Sequence, residues 1–212
     1  VSSSAAPGMV YDYSGFPEHT YHIRYTAPGA PDVAGRVKAL LDAGGLGARL
    51  DPERGYDHGT FSIMKPMYPE EAMPIVQLSI DPGYDPELHL QLGRLLAPLR
   101  DEGVLIIGSG LSYHNLAELR GGGRAVEASR AFDAWLQETV VGSTPEDRTA
   151  GLIAAESAVN FERNVSYGIV SFVEAKQSPI NLDHATRTRC HPEIPCPAGT
   201  GIDWVVGARV ID

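Results

Sequence analysis

Two histidines stand where proton chemistry is possible. His58 lies in Gly55-Tyr56-Asp57-His58-Gly59, a polar, glycine-flanked segment outside any periodic element. His114 lies in Gly108-Ser109-Gly110-Leu111-Ser112-Tyr113-His114-Asn115, just past the apolar run Val104-Leu105-Ile106-Ile107. Imidazole titrates near neutral pH, so two such rings in one cleft can take and give protons. A loop histidine hydrogen-bonded to backbone is the competing reading of each. Asp57, Ser109, Tyr113 and Asn115 flank the pair and are the expected substrate contacts. Adjacent residues seldom orient one another across one backbone unit, so the Asp57 carboxylate is expected to face solvent rather than the His58 ring. Gly108-Ser109-Gly110 lacks both the full G-x-G-x-x-G pattern and the Walker lysine, and reads as a tight turn near a substrate. Cys190-His191 and Cys196 do not form the tightly spaced four-ligand set of a structural zinc site. His19, His22, His89 and His184 each stand alone. His22 is the one of these placed to line a cleft, and His89 reads as scaffold within an amphipathic helix.

The elements that must hold these residues are well punctuated. Pro31 to Ala43 reads as a helix, with Val33, Val37, Leu40 and Leu41 on one stripe and Gly44-Gly45 as its stop. Residues 74–80 read as a strand that opens on proline, where no ladder donor is needed. Pro86 to Arg100 reads as a helix with Leu88, Leu92, Leu95, Leu96 and Leu99 along one side. Val104 to Ile107 suits a strand buried on both faces, as in a parallel sheet. A further helix covers about 127–140, with Phe132, Trp135, Leu136 and Val140 facing inward. Thr144-Pro145-Glu146-Asp147 is a helix start, with threonine as N-cap and proline at N1, and that helix carries Leu152, Ile153 and Val159. Gly121-Gly122-Gly123 reads as a loop. Strands alternating with helices predict an α/β fold with a central, mostly parallel sheet flanked by helices. In open sheets of that kind ligands bind outside the carboxyl ends of the strands, which is where His114 falls.

Composition narrows the function. The chain of 212 residues carries 17 Lys+Arg against 27 Asp+Glu, a net charge of −10, which argues against nucleic acid as the main partner. With 43% hydrophobic residues, a chain of this length buries about 70% of its unfolded surface, which excludes disorder throughout. No apolar run approaches the roughly 18 residues of a membrane span. Two cysteines cannot make a disulfide scaffold. The opening Val-Ser-Ser-Ser-Ala-Ala-Pro-Gly has neither the basic nor the apolar region of a signal peptide, and the expected compartment is the cytoplasm. Residues 1–174 form the expected α/β domain. Residues 175–212, without sustained periodicity, form an irregular, divergent C-terminal tail.

Several blocks carry a resemblance. Tyr11-Asp12-Tyr13-Ser14-Gly15-Phe16-Pro17, Tyr25-Thr26-Ala27-Pro28-Gly29, Leu50 through Gly59, Met67-Tyr68-Pro69, Pro74 through Ile80, Leu99 through Gly110 and His114-Asn115-Leu116 resemble, in order and spacing, the class III extradiol ring-cleaving dioxygenases. The nearest branch is the 4,5-DOPA dioxygenase type, over residues 10 to about 160. The resemblance implies a small aromatic diol and O2 as reactants, and a mononuclear non-haem metal, Fe(II) or Zn(II). It maps the family's pocket histidines onto His58 and His114 as acid/base residues. The diol must lose protons to chelate a metal, and a proton donor then helps to break the O–O bond. The family draws two metal-binding histidines from an H-G-S-P-like turn and an S-A-H-W-like strand end, and this chain starts after both. The third comes from an H-P-x-x-E-H-like segment, for which His191-Pro192-Glu193 is the only counterpart, so His191 is the one metal candidate. The expected domain is therefore incomplete at both ends. A homodimer is the expected assembly, without nucleic acid or membrane. Two other readings compete: a non-catalytic relative that keeps the fold as a binding module, and an α/β binder using residues 108–110 for an anion.

Overall fold

The computed structural model describes residues 1–83, 85–109, 123–154 and 169–174. In chain order the regular elements are α1 (Pro31–Ala43), α2 (His58–Met67), β1 (Ile75–Leu78), α3 (Pro86–Leu96), β2 (Val104–Ser109), α4 (Gly123–Gln137), α5 (Pro145–Ile153) and β3 (Ile169–Glu174). Helix α1 takes the predicted bounds, with Pro31 in its first turn and Gly44 after its last, and Gly45 then turns the chain at φ +80°. Helix α3 carries Asp85 as N-cap. It tightens into a 3-10 turn over Ala97–Arg100, where Pro98 cannot supply a helical N–H. Helix α5 starts as predicted on Thr144, whose hydroxyl accepts from the Asp147 N–H at 3.2 Å. Between α4 and α5 the chain makes one π-helical turn over Glu138–Gly142.

The three strands form one sheet in the order β1-β3-β2. Both ladders are antiparallel, pairing Gln77 with Ser171 and Ile107 with Ser171 across the central strand. The mostly parallel sheet expected from the apolar runs is therefore not what the described strands form. The cause is β3, which inserts between two strands that a run-based reading would pair directly. An apolar run reports burial and says nothing about the direction of the neighbour. The burial inference was also too strong, because Leu105 and Ile106 are only half-buried and Gly108 is exposed.

Helices nonetheless cover both faces. Residues 76, 78 and 104 point one way, into a core with Ala34, Val37 and Leu41 of α1, Leu96 of α3 and Leu99 of the following turn. Residues 75 and 107 point the other way, packing with Tyr25, Ala27, Tyr56 and with Phe61 and Met64 of α2. This alternation is the period-2 geometry of a strand. The result is an α/β layer arrangement with α1 and α3 on one side and α2 on the other. The expected tail, 175–212, lies outside the described residues, as does Val159.

Candidate active site

The site grows from the N-terminus of α2. Asp57 is its N-cap, its carboxylate accepting from the Thr60 N–H at 3.2 Å. The other carboxylate oxygen accepts from Arg54 Nη2 at 2.5 Å. Asp57 is only 3% exposed, so the solvent-facing position expected for it is not found. Its polar atoms are committed to starting the helix, which leaves His58 as the first helical residue. Gln77 of β1 reaches up from the sheet to the same turn. Its Nε2 donates to the Gly55 carbonyl at 2.8 Å, and its Oε1 accepts from the Asp57 N–H at 3.2 Å and from the Thr60 hydroxyl. Ser109, at the end of β2, donates its hydroxyl to the Gly59 carbonyl. Ser109 is itself buried, so it ties the strand end to the helix start.

A second segment brings the partner of His58. Residues 8–10 lie beside residue 56 in a parallel bridge between Met9 and Tyr56, closed by Val10 N–H to the Tyr56 carbonyl and Tyr56 N–H to the Gly8 carbonyl, both 2.8 Å. A Cβ on Gly55 would come within 2.6 Å of the Gly8 carbonyl oxygen, so only glycine allows this approach. Beyond the bridge, Tyr11 donates to the Ile23 carbonyl at 2.6 Å and Tyr13 to the Thr20 carbonyl at 2.7 Å. Between these two anchors sits Asp12. Its Oδ1 accepts from the His58 backbone N–H at 3.1 Å and lies 2.7 Å from His58 Nδ1. Burial alone would push the Asp12 carboxyl up. The hydrogen bonds from the His58 ring and backbone outweigh it and hold the group below the usual carboxylate range.

Rings complete the surroundings. Tyr13 meets the His58 imidazole edge-on at 5.8 Å and stacks toward Phe16, Tyr21 and Phe61 at 5.1–6.3 Å. The His58 side chain stays about half exposed. The site thus offers an imidazole with one nitrogen engaged by a carboxylate, in an aromatic setting, which is the equipment of an acid/base residue facing an aromatic ligand.

Of the residues expected to do chemistry, the structure brings His58, Asp57 and Ser109 together. Tyr113, His114, Asn115 and His191 lie outside the described residues, as do His184, Cys190 and Cys196. His22 does not line this site but pairs with Glu18 on an exposed 3-10 turn at 3.2 Å. His89 is scaffold, its Nδ1 on the Asp85 carbonyl at 2.6 Å and its Nε2 accepting from the Asp81 N–H at 3.2 Å. Sequence reasoning missed Asp12 as the carboxylate that meets His58. The signal was its place inside the block Tyr11 to Pro17, between two tyrosines. Among the described residues no three His, Cys, Asp or Glu side chains come together as a metal ion requires. No helix among them is long and apolar enough to cross a membrane.

Comparison with known proteins gives the family. A family model described as the catalytic LigB subunit of aromatic ring-opening dioxygenase matches residues 2–164. A 4,5-DOPA dioxygenase extradiol of Portulaca grandiflora is 41% identical over 149 residues, 69% of this chain and 55% of its own. The protein of the same name from Beta vulgaris is 42% identical over 141 residues, 65% of this chain and 52% of its own. That from Escherichia coli (strain K12) is 40% identical over 121 residues, 57% and 44%. The chain spans about half the length of these curated relatives.

Proposed function

Since the chain belongs to the family of the catalytic LigB subunit of aromatic ring-opening dioxygenases, we propose that its site serves extradiol opening of a catechol ring with O2, on a DOPA-like diol. The observation that carries this reading is the Asp12–His58 pair set against the Tyr13 ring at the carboxyl end of β2. In the reaction a ring C–C bond beside the diol breaks and both atoms of O2 enter the product, so O2 is the oxidant. His58 takes a proton from a diol hydroxyl and returns it to oxygen as the ring opens. The aromatic side chains around it flank the ring, and the α2 start keeps the imidazole in place. His114, which follows β2 in the sequence and lies outside the described residues, is the proposed second acid/base residue. The described residues alone hold no set of three metal ligands, and the proton transfers above are the part of the chemistry that the imidazole carries.

The test is direct. The full chain is loaded with Fe(II) without air, freed of excess metal, and given a catechol and then O2. A coloured ring-opened product, lost in His58→Ala, supports the reading. A folded chain that binds the diol but consumes no O2 overturns it in favour of a binding module.

A further inference from the structure

We propose that Asp12 is a positioning residue for His58, fixing its imidazole as the Nδ1–H tautomer so that Nε2 is the nitrogen that exchanges protons with substrate. The second half of this statement rests on the ring-opening reading, whereas the tautomer does not.

Four observations lead to it. First, one oxygen of Asp12 meets both the backbone N–H and the ring Nδ1 of the same residue, at 3.1 and 2.7 Å. That double grip fixes the ring relative to its own backbone, which a bond to the ring alone would not do. Second, an ionised carboxylate is an acceptor only, so the nitrogen facing it must carry the proton. The bonds that hold the Asp12 carboxyl low keep it ionised across the neutral range. Third, Asp12 cannot swing away cheaply. Tyr11 and Tyr13 on either side are each tied through their hydroxyls to backbone carbonyls, and the Tyr13 ring stands edge-on against the imidazole. Fourth, among the described residues no other charge competes for the ring. On α2 and its approach, the Asp57 carboxylate is turned to Arg54 and the Thr60 N–H, and Lys65 is turned to Glu71 and the Arg24 carbonyl. From the segment opposite, Arg24 Nη1 is 3.3 Å from the Tyr11 hydroxyl. Asp12 is the group that faces the imidazole. Nε2 has no hydrogen-bond partner among the described residues, and the side chain is 54% exposed, so this nitrogen is open to a ligand.

The experiment is nitrogen-15 NMR of the histidine rings in the full chain, with His58 assigned by its absence in His58→Gln. In its neutral form the wild-type ring is expected to show a protonated Nδ1 and a bare Nε2. A protonated Nε2, or an even mixture of tautomers, overturns the proposal without any variant having to fold. Asp12→Asn keeps the shape but can present an amide N–H to Nδ1, and is expected to move the ring toward the Nε2–H form. Kinetically it should lower kcat about 100-fold, within the range of general acid/base contributions, while KM changes less than about threefold. Asp12→Glu should recover part of kcat. Equal tautomer populations in Asp12→Asn and wild type count against the proposal. An inactive chain with an Nδ1–H ring sinks the ring-opening reading and leaves the positioning role standing. An active chain with an Nε2–H ring does the reverse.

Discussion

Gln77→Leu is the perturbation that best tests how the site is held. Gln77 is 4% exposed and its side chain spans the gap between β1 and the start of α2. It satisfies the Gly55 carbonyl at 2.8 Å and the Asp57 N–H at 3.2 Å, and accepts from the Thr60 hydroxyl. Leucine has similar bulk but neither a donor nor an acceptor. Gly55 and Asp57 are both buried, so the substitution leaves one backbone carbonyl and one backbone N–H without these partners and without water. Each such group costs about 1–3 kcal/mol, or about 2–6 kcal/mol for the pair. Burying the extra apolar surface of leucine returns about 1.5 kcal/mol. The net expectation is a loss of about 0.5–4.5 kcal/mol, centred near about 2.5, which for a chain of this size lowers Tm by about 5–10 °C at that centre. Thermal unfolding followed by circular dichroism reads it, with urea titration as a check that the m-value is unchanged. A Tm equal to or above that of wild type would refute the reasoning, because it would mean that the three bonds are replaced at no cost and do not set the start of α2.

Two further outcomes follow from the same contacts. The Glu71 carboxylate accepts from the Thr26 N–H and hydroxyl, both at 2.6 Å, and from Lys65 at 3.0 Å, and these bonds hold its pKa down at about 2. A carboxyl depressed in the folded state stabilises above its unfolded pKa, near 4.5, and loses that contribution as pH falls toward 2. The Tm gap between wild type and Glu71→Gln should therefore be widest near neutral pH and close between pH 4.5 and 2; a gap that stays constant contradicts the assignment. Gly55→Ala puts a methyl 2.6 Å from the Gly8 carbonyl oxygen and should cost about 1–3 kcal/mol by overpacking, with the Asp12–His58 contact disturbed in the ring NMR spectrum. An unchanged spectrum would show that residues 8–13 are positioned by something other than this bridge.

What was legible in the sequence was whatever local chemistry decides. Helix α1 has proline at one end and Gly44-Gly45 at the other, and α5 has its Thr144 cap, so both starts were read to the residue. Helix α2 went unread because Asp57, His58 and Gly59 look like loop. Yet the cap on Thr60 and the three-residue spacing of Phe61 and Met64, both buried, were a helix signal that Pro66 obscured. Strand β3 went unread too, although Ile169-Val170-Ser171-Phe172-Val173 is rich in β-branched and aromatic residues. Its neighbours are fixed by pairing with segments some 65 and 95 positions earlier, which no local pattern encodes. The same holds for Asp12, which reaches His58 across 46 residues. The adjacent Asp57 was the carboxylate in view, and the geometry of one backbone unit turned it elsewhere.

Although both described ladders are antiparallel, the candidate site lies beyond the carboxyl ends of two strands, and the reason is geometric. Strands β1 and β2 are each antiparallel to β3, so they run in the same direction as one another. Their carboxyl ends, Leu78 and Ser109, lie at one edge of the sheet. Gln77 near the first end and Ser109 at the second face the same side, and both bond to the start of α2, at Gly55, Asp57 and Thr60 in one case and Gly59 in the other. The rule that ligands gather beyond the carboxyl ends of strands needs the contributing strands to point the same way; it does not need them to be neighbours. Here the antiparallel strand between them sets their spacing, and the helix start that carries His58 is held across both. Loosening either tie should therefore move the imidazole against Asp12, which makes the His58 ring spectrum in Gln77→Leu a second reading of that experiment.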